Sequence, residues 1–132
     1  MNDANEIQRL IDATDYWDQE ILDVRFSSFG DVIEIVIRDD ESTAWVISLI
    51  RCLQVNYETD ASWRGPFLVS TLTPAQKGYF GQSIEVSCDG SAYRVILNLT
   101  ILNLDVTCYE ISVKKAGWKD SGKGIILVRD EP

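Results

Sequence analysis

The chain has 132 residues, of which 45% are apolar, and carries 21 acidic residues, 12 basic residues and no histidine, for a net charge of −9. This length suits a single domain, residues 1–132, with a real hydrophobic core. The lack of histidine excludes Ser-His-Asp and Cys-His catalysis and histidine-containing zinc sites, so we expect neither an enzyme nor a bound cofactor or metal.

The charge is unevenly distributed along the chain. Residues 1–66 contain 14 acidic and 5 basic residues, a net charge of −9, whereas residues 67–132 contain seven of each. Nucleic-acid binding requires a basic surface that displaces counterions from phosphates, so nucleic acid is excluded as a partner. An acidic half suits either a soluble surface or a basic protein partner.

The sequence also predicts where in the cell the protein is located. No run of about 18 apolar residues is present, so no membrane-spanning helix is expected. The N-terminus lacks a basic region followed by an apolar run, which argues against a signal peptide. The three cysteines, Cys52, Cys88 and Cys108, have no metal-site spacing and are expected to be reduced. We therefore predict a cytoplasmic protein.

The predicted elements begin with a short N-terminal helix. Asn2 or Asp3 can cap it, it ends near residue 13, and Ile7, Leu10 and Ile11 form its buried stripe. Alternating apolar residues then predict strands over residues 21–28 and 32–38, with a turn between them.

The segment from Thr43 to Tyr57 is predicted to be the central strand. Every second position is apolar except one, which is typical of a strand with one well-buried face. These positions are Trp45, Ile47, Leu49, Arg51, Leu53, Val55 and Tyr57.

Residues 58–82 interrupt this pattern and predict a long central connection. Thr73 followed by Pro74 favours one or two turns of helix, which Gly78 would end. Several aromatic residues argue against disorder and suggest that the connection covers one end of the core. These are Trp63, Phe67, Tyr79 and Phe80.

Alternation resumes after the connection and predicts strands over residues 83–88, 92–104, 105–115 and 124–129. We therefore expect a mainly β (α+β) fold of about seven antiparallel strands in amphipathic hairpins, arranged as a sandwich or a partly open barrel. The hairpins at residues 32–57 and 83–109 share residue classes at most matched positions, which suggests an internal duplication. The last strand, residues 125–128, could pair across a homodimer at an open sheet edge.

Two acidic clusters, each close to the start or end of a predicted strand, form the candidate binding site. They would steer a basic protein toward this surface, and tryptophans in connections could anchor it. The candidate residues are Asp15, Trp17, Asp18, Asp39, Asp40, Glu41 and Trp63. In the competing interpretation the carboxylates are only solvated and the tryptophans cover the ends of the core.

A second functional hypothesis is a small-ligand cavity beneath residues 58–82. Tyrosines would line it, since they combine an apolar ring with a polar hydroxyl. The expected lining residues are Tyr57, Tyr79, Tyr93 and Tyr109.

The opening Tyr16-Trp17-Asp18-Gln19-Glu20-Ile21 is followed by a strand, a glycine turn, an I-x-I-x-I strand and then Trp45-Val46-Ile47-Ser48-Leu49. This pattern, from Tyr16 to Val55, resembles small bacterial proteins of unknown function and immunity proteins of polymorphic toxin systems. The resemblance implies repeated amphipathic hairpins and a non-enzymatic domain that binds a partner protein. The second position of the opening is often histidine in such proteins and is Trp17 here, so no site residue is transferred from them.

Overall fold

The computed structural model of the protein describes residues 3–60, 62 and 65–128. These residues form two helices and seven strands, which confirms the predicted mainly β fold. The elements are α1 (Ala4–Asp12), β1 (Ile21–Ser27), β2 (Val32–Arg38), β3 (Thr43–Thr59), α2 (Pro74–Lys77), β4 (Gly81–Asp89), β5 (Ala92–Leu99), β6 (Leu102–Asp120) and β7 (Ile125–Val128). Short 3-10 turns occur at Ser28–Gly30 and Val69–Thr71.

All seven strands belong to one antiparallel sheet that is not closed. The strand order is β1-β2-β3-β6-β5-β4, and β7 pairs with the end of β6. The long strands β3 and β6 pair along their length, from Thr43 opposite Gly117 to Thr59 opposite Leu102. The first part of β3 also pairs with β2, and the first part of β6 also pairs with β5. The sheet therefore consists of two three-stranded meanders joined through a central ribbon.

The main core draws side chains from both meanders and from α1. Fully buried isoleucine, leucine and valine side chains alternate along β2, β3, β5 and β6, as their sequence pattern predicts. Asp3 caps α1 by accepting a hydrogen bond from the Glu6 N–H at 2.8 Å. Ile7 and Ile11 of α1 enter the core, but Leu10 is exposed, so its predicted place in the buried stripe is wrong.

The alternation predicted for the central strand holds only to Leu49. Arg51 has a φ of 56°, and the pairing with β6 shifts between Cys52 and Gln54. This bulge leaves Leu53 without a partner residue on β6, whereas Val55 pairs with Val106 and packs against the core. Leu53 and Tyr57 are exposed instead of buried, which corrects the prediction of one continuous buried face.

The turn between β5 and β6 lies at residues 100–101, earlier than the predicted boundary at residue 104. The Thr100 hydroxyl donates to the Gly78 carbonyl at 2.6 Å and accepts from the Phe80 N–H at 2.9 Å. Contacts with the central connection thus fix a turn that has neither glycine nor proline. As a result, β6 is a 19-residue strand where the sequence suggested two shorter segments.

The predicted helical turn in the central connection is confirmed. Thr73 and Gln76 form a capping box, Pro74 occupies the first turn, and Gly78 ends the helix with a φ of 73°.

Candidate functional site: the acidic end of the sheet

The two predicted acidic clusters lie at the same end of the sheet. Because Ile21 pairs with Ile37, the residues before β1 lie beside the residues after β2. Arg38 connects them: its backbone N–H donates to the Glu20 carbonyl at 3.0 Å, and its guanidinium lies 3.2 Å from the Glu20 carboxylate. We call this surface the acidic end; its residues are Asp15, Trp17, Asp18, Asp39, Asp40 and Glu41.

The segment before β1 is held against the start of β4. The Asp18 N–H donates to the Gly81 carbonyl at 2.8 Å, and the Gly81 N–H donates to the Gln19 carbonyl at 3.0 Å. Asp15 and Asp18 both have left-handed φ values, 55° and 60°, which aspartate tolerates better than most residues. The backbone therefore fixes where these two carboxylates project, and both side chains are exposed.

Tyr16 and Trp17 have opposite environments in this segment. The Tyr16 ring packs against the core, and its hydroxyl accepts a hydrogen bond from the Ile84 N–H at 3.1 Å. The Trp17 side chain is 67% exposed and lies between the two aspartates in sequence. Trp17 is thus available to a partner, because Tyr16 already fills the core position.

The three carboxylates in the turn between β2 and β3 differ in their hydrogen-bond and ion-pair partners. Asp40 accepts hydrogen bonds from the backbone N–H groups of Ser42 at 2.8 Å and Thr43 at 2.7 Å. These bonds lower the pKa of Asp40 from 3.8 to about 2. Asp39 pairs with Lys115 at 3.2 Å. In the part of the chain that the structure describes, Glu41 has no hydrogen-bond or ion-pair partner, so it is the carboxylate of this turn most available to a partner.

Asp40 should make stability depend on pH at the acid end of the range. Because its pKa is depressed in the folded protein, its contribution is fully present above about pH 4 and is lost as the pH falls toward about 2. Asp40→Asn keeps an oxygen acceptor for the turn but does not titrate. We expect the melting temperature of this variant to fall less than that of the parent between about pH 5 and about pH 2, the window set by these pKa values. Circular dichroism measures both melting temperatures. Parallel losses in the two proteins would contradict this assignment.

Trp63, the remaining predicted anchor, lies outside the described residues. The four tyrosines of the alternative hypothesis are not brought together. Tyr57 and Tyr79 line a cleft of about 920 Å³, which also contacts β1 and β7. Tyr93 is buried in the main core, and the Tyr109 ring lies 5.3 Å from the Arg51 guanidinium. The predicted four-tyrosine cavity is therefore wrong, although a cleft does lie beside the central connection.

Four apolar side chains toward the other end of the β1–β2 hairpin are exposed and were not predicted as a site; we call Phe26, Phe29, Leu53 and Tyr57 the exposed apolar patch. The Phe26 and Tyr57 rings meet edge to face with centroids 5.5 Å apart. Phe29 is fully exposed and has a φ of 61°. An aromatic residue in a glycine-containing turn was the available signal, but the bulge at Leu53 was not predictable from spacing.

Two of the three cysteine thiols, those of Cys52 and Cys108, are at least partly shielded from solvent, and Cys88 is exposed. Burial raises the pKa of the Cys108 thiol to about 12, and burial also raises the pKa of Cys52, so both thiols stay protonated and are weak nucleophiles. No group of three or more cysteine, aspartate or glutamate side chains in the described chain is placed to hold a metal ion. No described helix is long and apolar enough to cross a membrane.

Comparison with known proteins finds one matching family and one similar fold. A family model described as immunity protein PIM7 matches residues 3–115. An uncharacterised protein from Neisseria gonorrhoeae, known from its crystal structure, has a similar fold with a TM-score of 0.52 and 15% identity. The match covers 75% of this chain and 92% of that chain. No curated protein sequence matches the chain significantly.

Proposed function

The chain belongs to the immunity protein PIM7 family, and from this membership we propose that it binds a toxin protein and blocks its action without catalysing a reaction. The family match carries this proposal, since it spans the acidic end and all of the sheet except the last part of β6 and β7. The protonated thiols and the absence of histidine from the sequence support a binding role. We place this activity in the cytoplasm, in agreement with the expected reduced cysteines.

The acidic end is the surface we assign to the toxin. Asp15, Asp18 and Glu41 are exposed, and an array of carboxylates at one end of a chain with a net charge of −9 attracts a basic partner over about one Debye length. Such steering mainly accelerates encounter, while affinity requires a buried anchor. Trp17 supplies that anchor, because its large ring is exposed on a backbone that Gly81 and Gln19 hold in place.

The first experiment is a pull-down from the lysate of the host cell, at low and high salt, with mass spectrometry of the eluted proteins. We expect one basic protein whose capture weakens as salt rises. The captured protein is then expressed as a toxin in cells, and survival of cells that also express the protein described here would establish the immunity role. Capture of only acidic or salt-insensitive proteins would reject the electrostatic part of the proposal.

The assignment of the acidic end is tested by removing two of its charges. Asp18→Asn keeps a residue that tolerates the left-handed backbone, and Glu41→Gln removes a carboxylate without a described partner. We expect the double variant to bind the captured toxin with a several-fold lower association rate at low salt and a weaker salt dependence, measured by surface plasmon resonance.

The matched control is Glu58→Gln with Glu85→Gln, which removes the same charge from exposed positions on β3 and β4. An equal loss of association rate in both double variants would mean that net charge, and not the acidic end, guides the toxin.

The end of the sheet also leaves room for self-association. In the described chain, β7 pairs as a strand only with β6, and apart from the Ile125 carbonyl, which accepts a hydrogen bond from Arg25, its other edge could pair with a second copy of the protein. We propose this as an additional contact, to be checked by light scattering of the free protein.

A further inference from the structure

A cleft of about 920 Å³ lies between β1, β7 and the central connection. Its volume is at the upper end of the range of small-molecule pockets. Much of its lining is apolar. The apolar lining residues include Leu22, Val24, Val69, Leu102, Ile125 and Leu127.

Lys77 is the unusual residue of this cleft. Its side chain is only 6% exposed, and within the described part of the chain it has no hydrogen-bond or ion-pair partner. Every fully buried side-chain nitrogen or oxygen in the described chain has a hydrogen-bond partner. The unpaired ammonium group of Lys77 is therefore not fully buried. Lys77 is one of the residues that line the cleft, so its side chain is within reach of a molecule bound there.

The local structure holds Lys77 in this position. It is the last residue of α2, whose start is fixed by the capping box of Thr73 and Gln76 and whose end is fixed by Gly78. The stem of this side chain is thus buried, and its ammonium group has no partner among the described residues. A bound anion would supply that partner with a charge-assisted hydrogen bond, which makes this lysine a candidate ligand-binding group.

The other charged groups around the cleft favour the same kind of ligand. Lys123, two residues before the start of β7, also lines the cleft. Among the described residues, Asp23 is the only acidic residue that lines the cleft, and its carboxylate already binds the Arg25 guanidinium at 2.8 Å. Arg25 also donates to the Ile125 carbonyl. The cleft is thus locally positive in a protein whose net charge is −9.

We propose that this cleft binds a small molecule with an apolar body and one anionic group, such as a carboxylate or sulfonate. The ammonium of Lys77 pairs with the anionic group, and the apolar residues of β1, β7 and the central connection enclose the body. This site is separate from toxin binding by the acidic end and does not depend on it.

The test uses a matched pair of fluorescent probes. 1-Anilinonaphthalene-8-sulfonate carries an anionic group on an apolar body, and N-phenyl-1-naphthylamine has the same body without the charge. We expect Lys77→Met to weaken binding of the sulfonate about tenfold or more, as the loss of one desolvated charge pair implies, and to change binding of the neutral probe less than twofold. Lys114→Met, at an exposed position on β6 outside the cleft, should leave both affinities unchanged.

The location of the probe is measured on the unmodified protein by NMR titration, so the result does not depend on the folding of a variant. Shifts of the backbone amides of residues 21–25 and 125–127 on addition of the sulfonate support the proposal. Shifts confined to Phe26, Phe29, Leu53 and Tyr57 would overturn it, because the probe would then occupy the exposed apolar patch. Equal sulfonate affinity of the parent and Lys77→Met, with Lys77→Met confirmed to be folded, would also overturn it.

Discussion

Replacement of Gly81 by alanine is expected to lower the free energy of unfolding by about 3 kcal/mol, near the upper end of the usual cost of overpacking. A methyl group at this position would lie 2.3 Å from the Tyr16 carbonyl oxygen. Real contacts of this kind are essentially never so short, and the partner is backbone, which cannot move aside as a flexible side chain can. The segment before β1 must therefore shift away from β4.

This shift has consequences beyond the clash itself. The Asp18–Gly81 and Gly81–Gln19 backbone hydrogen bonds hold the segment, and the Tyr16 hydroxyl binds the Ile84 N–H in the same region. Displacement weakens these bonds together, so the loss exceeds that of a single contact. Urea denaturation of Gly81→Ala measures it, and Gln82→Ala, at the next and exposed position of β4, is the matched control with an expected change within about 0.5 kcal/mol.

A stable Gly81→Ala protein would show that the segment before β1 is not bound to β4 as described. Toxin binding by Gly81→Ala is measured after its stability. If Gly81→Ala folds but binds the toxin weakly, the geometry of the acidic end matters in addition to its charge.

The strands were predictable because alternation of apolar and polar residues indicates a strand with one buried face. The patterns along β2 and β4 and at the start of β3 gave the correct strands, and Thr73 with Pro74 gave the correct helical turn. These signals are local: each depends on residues within one element.

The bulge in β3 was not predictable, because its cause lies elsewhere in the chain. The Cys52 N–H donates to the Asp31 carbonyl at 3.0 Å, and Arg51 adopts a left-handed φ that its residue type disfavours. The β1–β2 turn thus fixes the irregularity of β3. The β5–β6 turn likewise depends on distant residues, Gly78 and Phe80 of the central connection.

The candidate site shows the same division between local and distant causes. Its carboxylates could be selected from the sequence, but their different uses could not. Asp40 binds its own turn, Asp39 binds Lys115 on a strand distant in sequence, and Glu41 has no partner among the described residues. Likewise, Lys77 is one of many charged residues in the sequence, and only its burial beside a cleft distinguishes it.

Replacement of Trp17 by alanine is expected to weaken toxin binding about 30-fold or more, the loss of about 2 kcal/mol that is typical of a buried tryptophan anchor. The free protein should keep its stability within about 0.5 kcal/mol, because the Trp17 ring is 67% exposed and the backbone bonds around it do not involve the side chain. The effect should appear mainly in the dissociation rate, in contrast to the effect of Asp18→Asn with Glu41→Gln on the association rate.

Phe29→Ala is the matched control for this prediction. Phe29 is also an exposed aromatic residue outside the core, but it lies beyond the far end of β1, about 20 Å away along a seven-residue strand. If the acidic end contacts the toxin, Phe29→Ala should bind like the parent, whereas a loss of affinity in Phe29→Ala and not in Trp17→Ala would move the interface to the exposed apolar patch. The two single variants therefore decide between the two surfaces, because each removes one ring and neither changes the net charge.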